Sequence, residues 1–421
     1  MNSLSNHFRK SRTRISRVLS VWPHRFLRVT CILAAALVGS ASGQTFTSLY
    51  SFGAVPGDGA APVAGVIADP NGNLFGTAAV GGIQGSNGLV FELSPPTITG
   101  NPWTETILYR FRGTPDGKVP QSRLRMASKG VLVGNARFGG ATDLGAAYSL
   151  TLGSQGRWKE NLFYNYGSTR NDVVNPNNGF FQAAEGFYGA DNGGANGLGA
   201  FYLLTPAGGG NWTQNILYSF QSNGDATFPS GDLVRDAAGN FYGAGVQGGA
   251  NNLGAIYELS PPSSPGNPWT ETVLFSFNGT DGTLPAGPLL LGPGGVLFGT
   301  TDGGGSHGAG TVFQLTPPTK VGDPWTHTIL YNFTGGLDGT NPSSGVILDK
   351  KGRLFGAASN AVFMLTPQSD GTWQESVLHN FTGPDGFLAN SPLTLFKGAL
   401  YGTTGQGGQF GTGTVFQVTV P

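Results

Sequence analysis

The chain has 421 residues, with 71 Gly and 27 Pro, and its 38% apolar and 11% aromatic content stands against only 11% charged residues. That balance excludes a disordered chain and suits short strands joined by tight turns. The formal charge of zero hides an asymmetry: seven of the 23 Lys and Arg lie in residues 1–43 without any acid, leaving 16 against 23 Asp and Glu, and a body of net −7 is no general nucleic-acid binder.

In chain order, the first element is the basic segment carrying Arg9, Lys10, Arg12, Arg14, Arg17, Arg25 and Arg28, followed by CILAAALVGSASG at 31–43. A positive start, a short apolar stretch and the small residues Ala41, Ser42 and Gly43 predict a signal peptide over 1–43, cleaved after Gly43. An uncleaved anchor is the weaker reading, because the apolar stretch falls well short of the roughly 20 residues that span a bilayer. No later segment predicts a transmembrane span. Cys31 is the only cysteine, and the Arg28-Val29-Thr30 before it does not look like a lipoprotein acylation site. Residues 44–421 are expected to be exported without a disulfide, and to be monomeric.

From residue 44 the chain repeats. The marker is Trp followed eight residues later by an aromatic: Trp103/Phe111, Trp158/Tyr166, Trp212/Phe220, Trp269/Phe277, Trp325/Phe333 and Trp373/Phe381. Each unit begins with a Pro-led apolar run, such as PVAGVIAD at 62–69 or PSSGVILD at 342–349. A Gly turn and an aromatic-Gly pair follow, as in Phe75-Gly76 and Tyr242-Gly243. A glycine loop, an apolar run such as LVFEL at 89–93 and a linker lead to the next Trp. These runs are short, β-branched or aromatic and bounded by Gly and Pro, so they predict strands.

Four antiparallel strands in about 54 residues make a β-propeller blade. A β-solenoid has shorter coils. The blades are predicted over 62–111, 120–166, 176–220, 229–277, 285–333, 342–381 and 391–418. The last has no outer strand of its own. QTFTSLYSF at 44–52 supplies one, so residues 46–52 are predicted to pair with 413–418 and close the ring, removing both free sheet edges. Gln44 stands where the other copies have Trp, as expected for a first residue with no linker before it. The fold class is an all-β, seven-bladed β-propeller over 44–421. The aromatics Phe91, Tyr148, Tyr202, Tyr257, Phe313, Phe363 and Phe416 are expected between blades, and the strand Gly where a neighbour approaches closely.

The recurring pattern, LYSF, GVILD at 345–349, GTVFQLTPP at 310–318 and WTETVLFSF at 269–277, resembles the GloVer (Gloeobacter/Verrucomicrobia-type) tandem repeat of exported, choice-of-anchor bacterial proteins. The resemblance covers about 90% of the chain and recurs in all seven units. It implies export and a repeat-built body, and no defined activity. The sorting tail of many relatives is not visible before Val420-Pro421, which favours release from the cell or into a periplasm.

The predicted ligand face is the loop face with the channel it surrounds. An acidic turn recurs at Asp58, Asp116, Asp172, Asp225, Asp281, Asp338 and Asp385. It could be a carboxylate ring for cations, but the absence of a D-x-D-x-D run favours turn-forming side chains. The second unit departs from the rest with Arg110, Arg112, Lys118, Arg123, Arg125, Lys129 and Arg137. Arg123 and Arg125 fall in the inner strand where other units have Gly or aliphatic residues. Guanidinium groups suit carboxylate or sulfate, so the expected ligand is an anionic glycan or peptide, against the plainer reading of a solvated basic patch. Asp302 and His307 lie in the loop TDGGGSHGAGT. One His without an orienting partner predicts no catalysis, and no His/Glu constellation like that of streptogramin lyases, themselves seven-bladed propellers, is visible. No catalytic, metal or cofactor residue is assigned. A non-catalytic binding or surface-interaction propeller is preferred over an enzyme acting on carbohydrate or a small secreted metabolite, and over a structural envelope protein.

Overall fold

Runs such as LVFEL and TVFQL carry apolar residues on both faces, so each needs cover on both sides, and the strands assemble into small sheets stacked side by side. The structure is a computed structural model describing residues 44–421 except 83–85, 129, 265 and 321. The segment expected to be a signal peptide and Lys129 lie outside the described residues. Seven four-stranded antiparallel sheets form a seven-bladed β-propeller. Blades 1 to 6 run from inner strands Val66–Ala68, Arg125–Ser128, Phe181–Gln182, Ala226–Arg235, Thr283–Leu291 and Val346–Leu348 to outer strands Thr104–Arg110, Trp158–Asn165, Asn211–Ser219, Thr270–Ser276, Thr326–Asn332 and Trp373–Asn380. Blade 7 has Thr394–Phe396, Ala399–Thr404 and Thr414–Thr419, and its outer strand is Phe46–Ser51.

The closing strand pairs as the sequence predicts, from Phe46 opposite Val418 to Ser51 opposite Thr414, with one irregularity between Ser48 and Tyr50. Each blade–blade seam holds one hydrophobic cluster, seven in all. Two contacts repeat in them. Within a blade, the third-strand aromatic lies over the second-strand Gly: a Cβ on Gly76 would come within 2.5 Å of Phe91, and one on Gly243 within 2.3 Å of the Tyr257 hydroxyl. Across a seam, the same aromatic meets edge-on the ring that ends the preceding outer strand. Phe111–Tyr148, Phe220–Tyr257, Phe277–Phe313 and Phe333–Phe363 have centroids 5.0–5.3 Å apart. Phe52–Phe91, at 5.1 Å, joins blade 7 to blade 1 in the same way.

The Trp side chains cap the seams from outside. Trp103, Trp269, Trp325 and Trp373 sit 6.1–6.4 Å from Tyr401, Tyr188, Tyr242 and Phe298 of the preceding blade. Gln44 occupies this place at the seam of blades 6 and 7, where its side-chain amide donates to the Leu378 carbonyl. The ring at that place, Phe355, is covered instead by the Arg353 guanidinium at 5.2 Å, which Asp349 holds at 2.8 Å and which donates to the Pro421 carbonyl at 3.0 Å. A cation over the ring replaces the missing indole.

Phe52 is fully buried and directly follows the strand that shuts the ring. Phe52→Ala is expected to cost about 3–5 kcal/mol, as for other large buried aromatics, read as a shift in chemical denaturation of the full chain.

Candidate functional site

The seven acidic-turn residues are consumed by the fold. Each accepts a backbone N–H just beyond an outer strand: Gly53, Arg112, Ser168, Gln221, Asn278, Thr334 and Thr382 donate to Asp58, Asp116, Asp172, Asp225, Asp281, Asp338 and Asp385 at 2.7–3.0 Å. Five also accept a Tyr hydroxyl from the outer strand, at 2.6–3.1 Å, and Asp385 is paired with His379 at 2.7 Å. The Gly that follows five of them is demanded by the second strand rather than by φ alone. At Gly59 and Gly117, which lack positive φ, a Cβ would lie 2.5 and 2.7 Å from Ala78 and Ala136.

The same Tyr faces the next blade two residues after its Trp. Glu105, Glu160, Glu271 and Glu375 stand there, near Tyr50, Tyr109, Tyr218 and Tyr331 respectively. Burial, and then the neighbouring Asp, pushes all four glutamates up to about 7. Two seams replace this arrangement with ring stacking: Phe275 on His327 at 4.2 Å, and His379 on Phe46 at 3.6 Å. The histidines of the outer strands are therefore seam residues.

The inner strands leave a channel. Register aligns Ile67, Arg125, Phe181, Val234, Leu290, Ile347 and Thr394, each opposite the aromatic position of its second strand or, in blade 2, Val133. Two residues earlier the series reads Gly65, Arg123, Gly179, Asp232, Pro288, Gly345 and Pro392. Neighbouring strands nearly touch at this level on one side, where a Cβ on Gly345 would be 2.4 Å from the Pro288 carbonyl. On the other side Arg123, Arg125 and Asp232 line a cavity of about 280 Å³ with Ile67, Met126 and Phe180. Arg123 and Asp232 also line a second cavity of about 210 Å³ whose remaining wall is almost wholly apolar.

Arg123 donates through Nη2 to Thr394 Oγ1 at 2.7 Å, and that hydroxyl donates to the Val66 carbonyl. Its Nε is buried without a partner. Arg123 is half-buried; burial lowers its pKa, and Asp232 opposes that. Arg125 donates to the Phe180 carbonyl at 2.8 Å and lies over Phe181 at 5.9 Å. Asp232 accepts the Gly179 N–H at 2.6 Å.

The other expected site residues stand apart from these cavities. Arg137 follows the second strand of blade 2, donates to Gln121 at 3.1 Å and lies over Phe138 at 5.2 Å. Asp302 lies at the end of a blade 5 strand, where hydrogen bonds from Asn341 and Ser343 partly offset the upward push of burial. His307 is exposed, its Nδ1 2.9 Å from the Ser306 hydroxyl. Neither channel cavity includes any of the three.

Two carboxylates escaped the sequence reading. Asp232 stands where other inner strands have Gly, Pro or Arg. Asp191 stands where other second strands have Ala, Thr or Gly, and it is fully buried with its pKa pushed up to about 7 by that burial. It accepts the Asn177 and Asn178 N–H groups at 2.9 Å and the Tyr202 hydroxyl at 3.0 Å. Tyr202 meets Tyr166 at 3.1 Å, and Tyr166 donates to Asn135 at 3.0 Å. Tyr for Phe at two seam positions was the available signal for this polar seam. Among the described residues, no group of three or more His, Cys, Asp or Glu is placed to hold a metal ion.

The Gloeobacter/Verrucomicrobia repeat family matches residues 126–362, more than half of the chain. The chain belongs to this family. Among solved structures, the extracellular domain of the hybrid two component system BT4673 from B. thetaiotaomicron is 11% identical over 89% of this chain and 40% of that one, with a TM-score of 0.54. PorZ, a bacterial surface component of the type-IX secretion system of Porphyromonas gingivalis, is 14% identical over 86% of this chain and 47% of that one, with a TM-score of 0.52. A protein from Lactobacillus plantarum is 16% identical over 83% of this chain and 96% of that one, with a TM-score of 0.53. At such identities the likeness shows the fold alone. A comparison with curated proteins found no match. Among the described residues no helix is long and apolar enough to cross a membrane.

The seam glutamates of this Gloeobacter/Verrucomicrobia repeat protein make stability depend on pH. A folded pKa near 7 against an ordinary 4.5 means that the folded state holds more protons between those values. Stability is then fullest near the lower value, falls as pH rises towards 7, and levels off above it. Arg110 and Arg112 temper the effect at Glu105 and Glu160. The melting temperature is expected to be higher at pH 5.5 than at pH 8, and the quadruple Glu→Gln variant at 105, 160, 271 and 375 should lose most of that difference in a thermal scan.

Proposed function

We propose that this protein is an exported, non-catalytic binding propeller that holds the anionic end of an extracellular ligand, a glycan or peptide, in its central channel. One observation carries the reading: Arg123 and Arg125 line a single cavity at inner-strand positions where other blades offer no cation, and the Arg123 Nε is buried without a partner. Two guanidinium groups lining one cavity suit a carboxylate or sulfate, which accepts charge-assisted hydrogen bonds from both. Blade strands fix both side chains, so the site is held before a ligand arrives. Export is supported by the basic-then-apolar pattern of residues 1–43, and the net acidity of the remainder argues against nucleic acid as the partner. The protein acts as a monomer, with its ring closed on itself and no unpaired blade.

The full chain is expected to bind acidic glycans or acidic peptides on an array. Arg125→Met and the Arg123→Met/Arg125→Met double variant, checked for an unchanged melting temperature, should weaken any hit by roughly tenfold or more, the weight of one or two charge-assisted hydrogen bonds. Binding unchanged in the double variant would remove the channel from the proposal.

A further inference from the structure

The channel contains a second charge that an anionic ligand leaves unused. Arg123 and Asp232 face the same two cavities. Neither belongs to any of the four ion pairs formed among the described residues. Opposite charges in one enclosed space, held apart, are a costly arrangement unless something fills the gap.

The gap is built by Gly179, which occupies the channel position between them. A Cβ there would stand 2.8 Å from Asp232 Oδ1 and 3.1 Å from the Arg123 carbonyl. The Gly179 N–H anchors Asp232 through Oδ1 at 2.6 Å, leaving Oδ2 for another donor. Nη2 of Arg123 is anchored by Thr394 at 2.7 Å, while its Nε is buried without a partner. Thus an anchored carboxylate and an anchored guanidinium line the same two cavities. The opposite wall is apolar, formed by Val234, Leu289, Leu290, Val346, Ile347 and Leu393. The two cavities, about 210 and 280 Å³, lie below the roughly 300–1,000 Å³ of sites for drug-sized ligands, so they suit a small metabolite better than an oligosaccharide.

We infer that the channel binds a free apolar α-amino acid, with its carboxylate on Arg123, its ammonium on Asp232 and its side chain against the aliphatic wall. The inference rests on the binding reading above and replaces its glycan or peptide with a smaller ligand. A plain anion would meet Asp232 as a like charge, and a plain cation would meet Arg123 and Arg125 in the same way, so the pair of charges selects for the zwitterion. Arg125 adds positive potential beside the carboxylate end, its Nε already committed to the Phe180 carbonyl.

The test is calorimetric titration of the full chain with leucine, with 4-methylpentanoate (the same skeleton without the amine) and with 3-methylbutylamine (without the carboxylate). Leucine is expected to bind at least about tenfold more tightly than either. Asp232→Asn keeps the acceptor for Gly179 and removes the like charge, so it should weaken leucine and tighten 4-methylpentanoate, closing the gap between them. Arg123→Met should weaken leucine and 4-methylpentanoate alike. If 4-methylpentanoate or an acidic glycan binds and leucine is no tighter, the amino-acid inference is wrong and the anionic reading stands. If none of the compounds and no acidic glycan or peptide binds, both are wrong. The three compounds decide the matter on the unmodified chain even if a variant fails to fold.

Discussion

The propeller depends on one contact, an aromatic ring laid over a glycine within each blade. Only Gly leaves room there, since a Cβ would meet the ring at 2.3–2.7 Å. With the ring held flat against its own sheet, its edge projects to receive the aromatic that ends the preceding outer strand. Packing inside a blade and packing between blades are therefore the same event. This is why one hydrophobic cluster fits each seam, and why each seam contributes much of the apolar area that a thin four-stranded sheet could not bury alone.

Around that contact the seams tolerate exchange as long as chemistry is conserved. Tyr–Asp–Glu groups and stacked Phe–His pairs occupy equivalent places, and the Tyr166–Tyr202–Asp191 network stands where other seams have the ring–ring contact alone. Arg353 over Phe355 does at the Trp-less seam what an indole does elsewhere. Most polar groups that enter a seam bring a partner, while the Tyr148 hydroxyl and the His327 Nε2 are buried there without one.

The fold was legible because it is written seven times. The Trp-x7-aromatic spacing, the aromatic-Gly pair and the Asp turn each recur often enough to cancel local noise, and the stray QTFTSLYSF then had one place to go. The reason given for Gln44 was incomplete: Arg353, 309 positions later, takes over the covering role and carries no local signal of it. The channel was harder because its chemistry lies in departures from the repeat. Arg123 and Arg125 stood out as paired basic residues in one strand. Asp232 looked like part of an ordinary polar run until strand register placed it beside Gly179 and in the same cavity wall as Arg123. Sequence also grouped Arg137, Asp302 and His307 with the two arginines, because it could assign residues to a face but not measure the separation between the channel wall and the loops.

The pairing of Phe46 with Val418 joins residues 372 positions apart, whereas Ala358 and Ala361 are joined by a two-residue turn. Closing so long a chain carries an entropic cost roughly 3 kcal/mol above that of a ten-residue hairpin, and nothing recovers it until the last blade has its other three strands. Six blades can build on one another by local steps, and the seventh must wait for both ends. The strand made first is thus the last to be placed, and the finished ring behaves like a buckled belt. Its buckle is the slowest part to fasten and the first to give way under strain, while the blades on the far side stay packed.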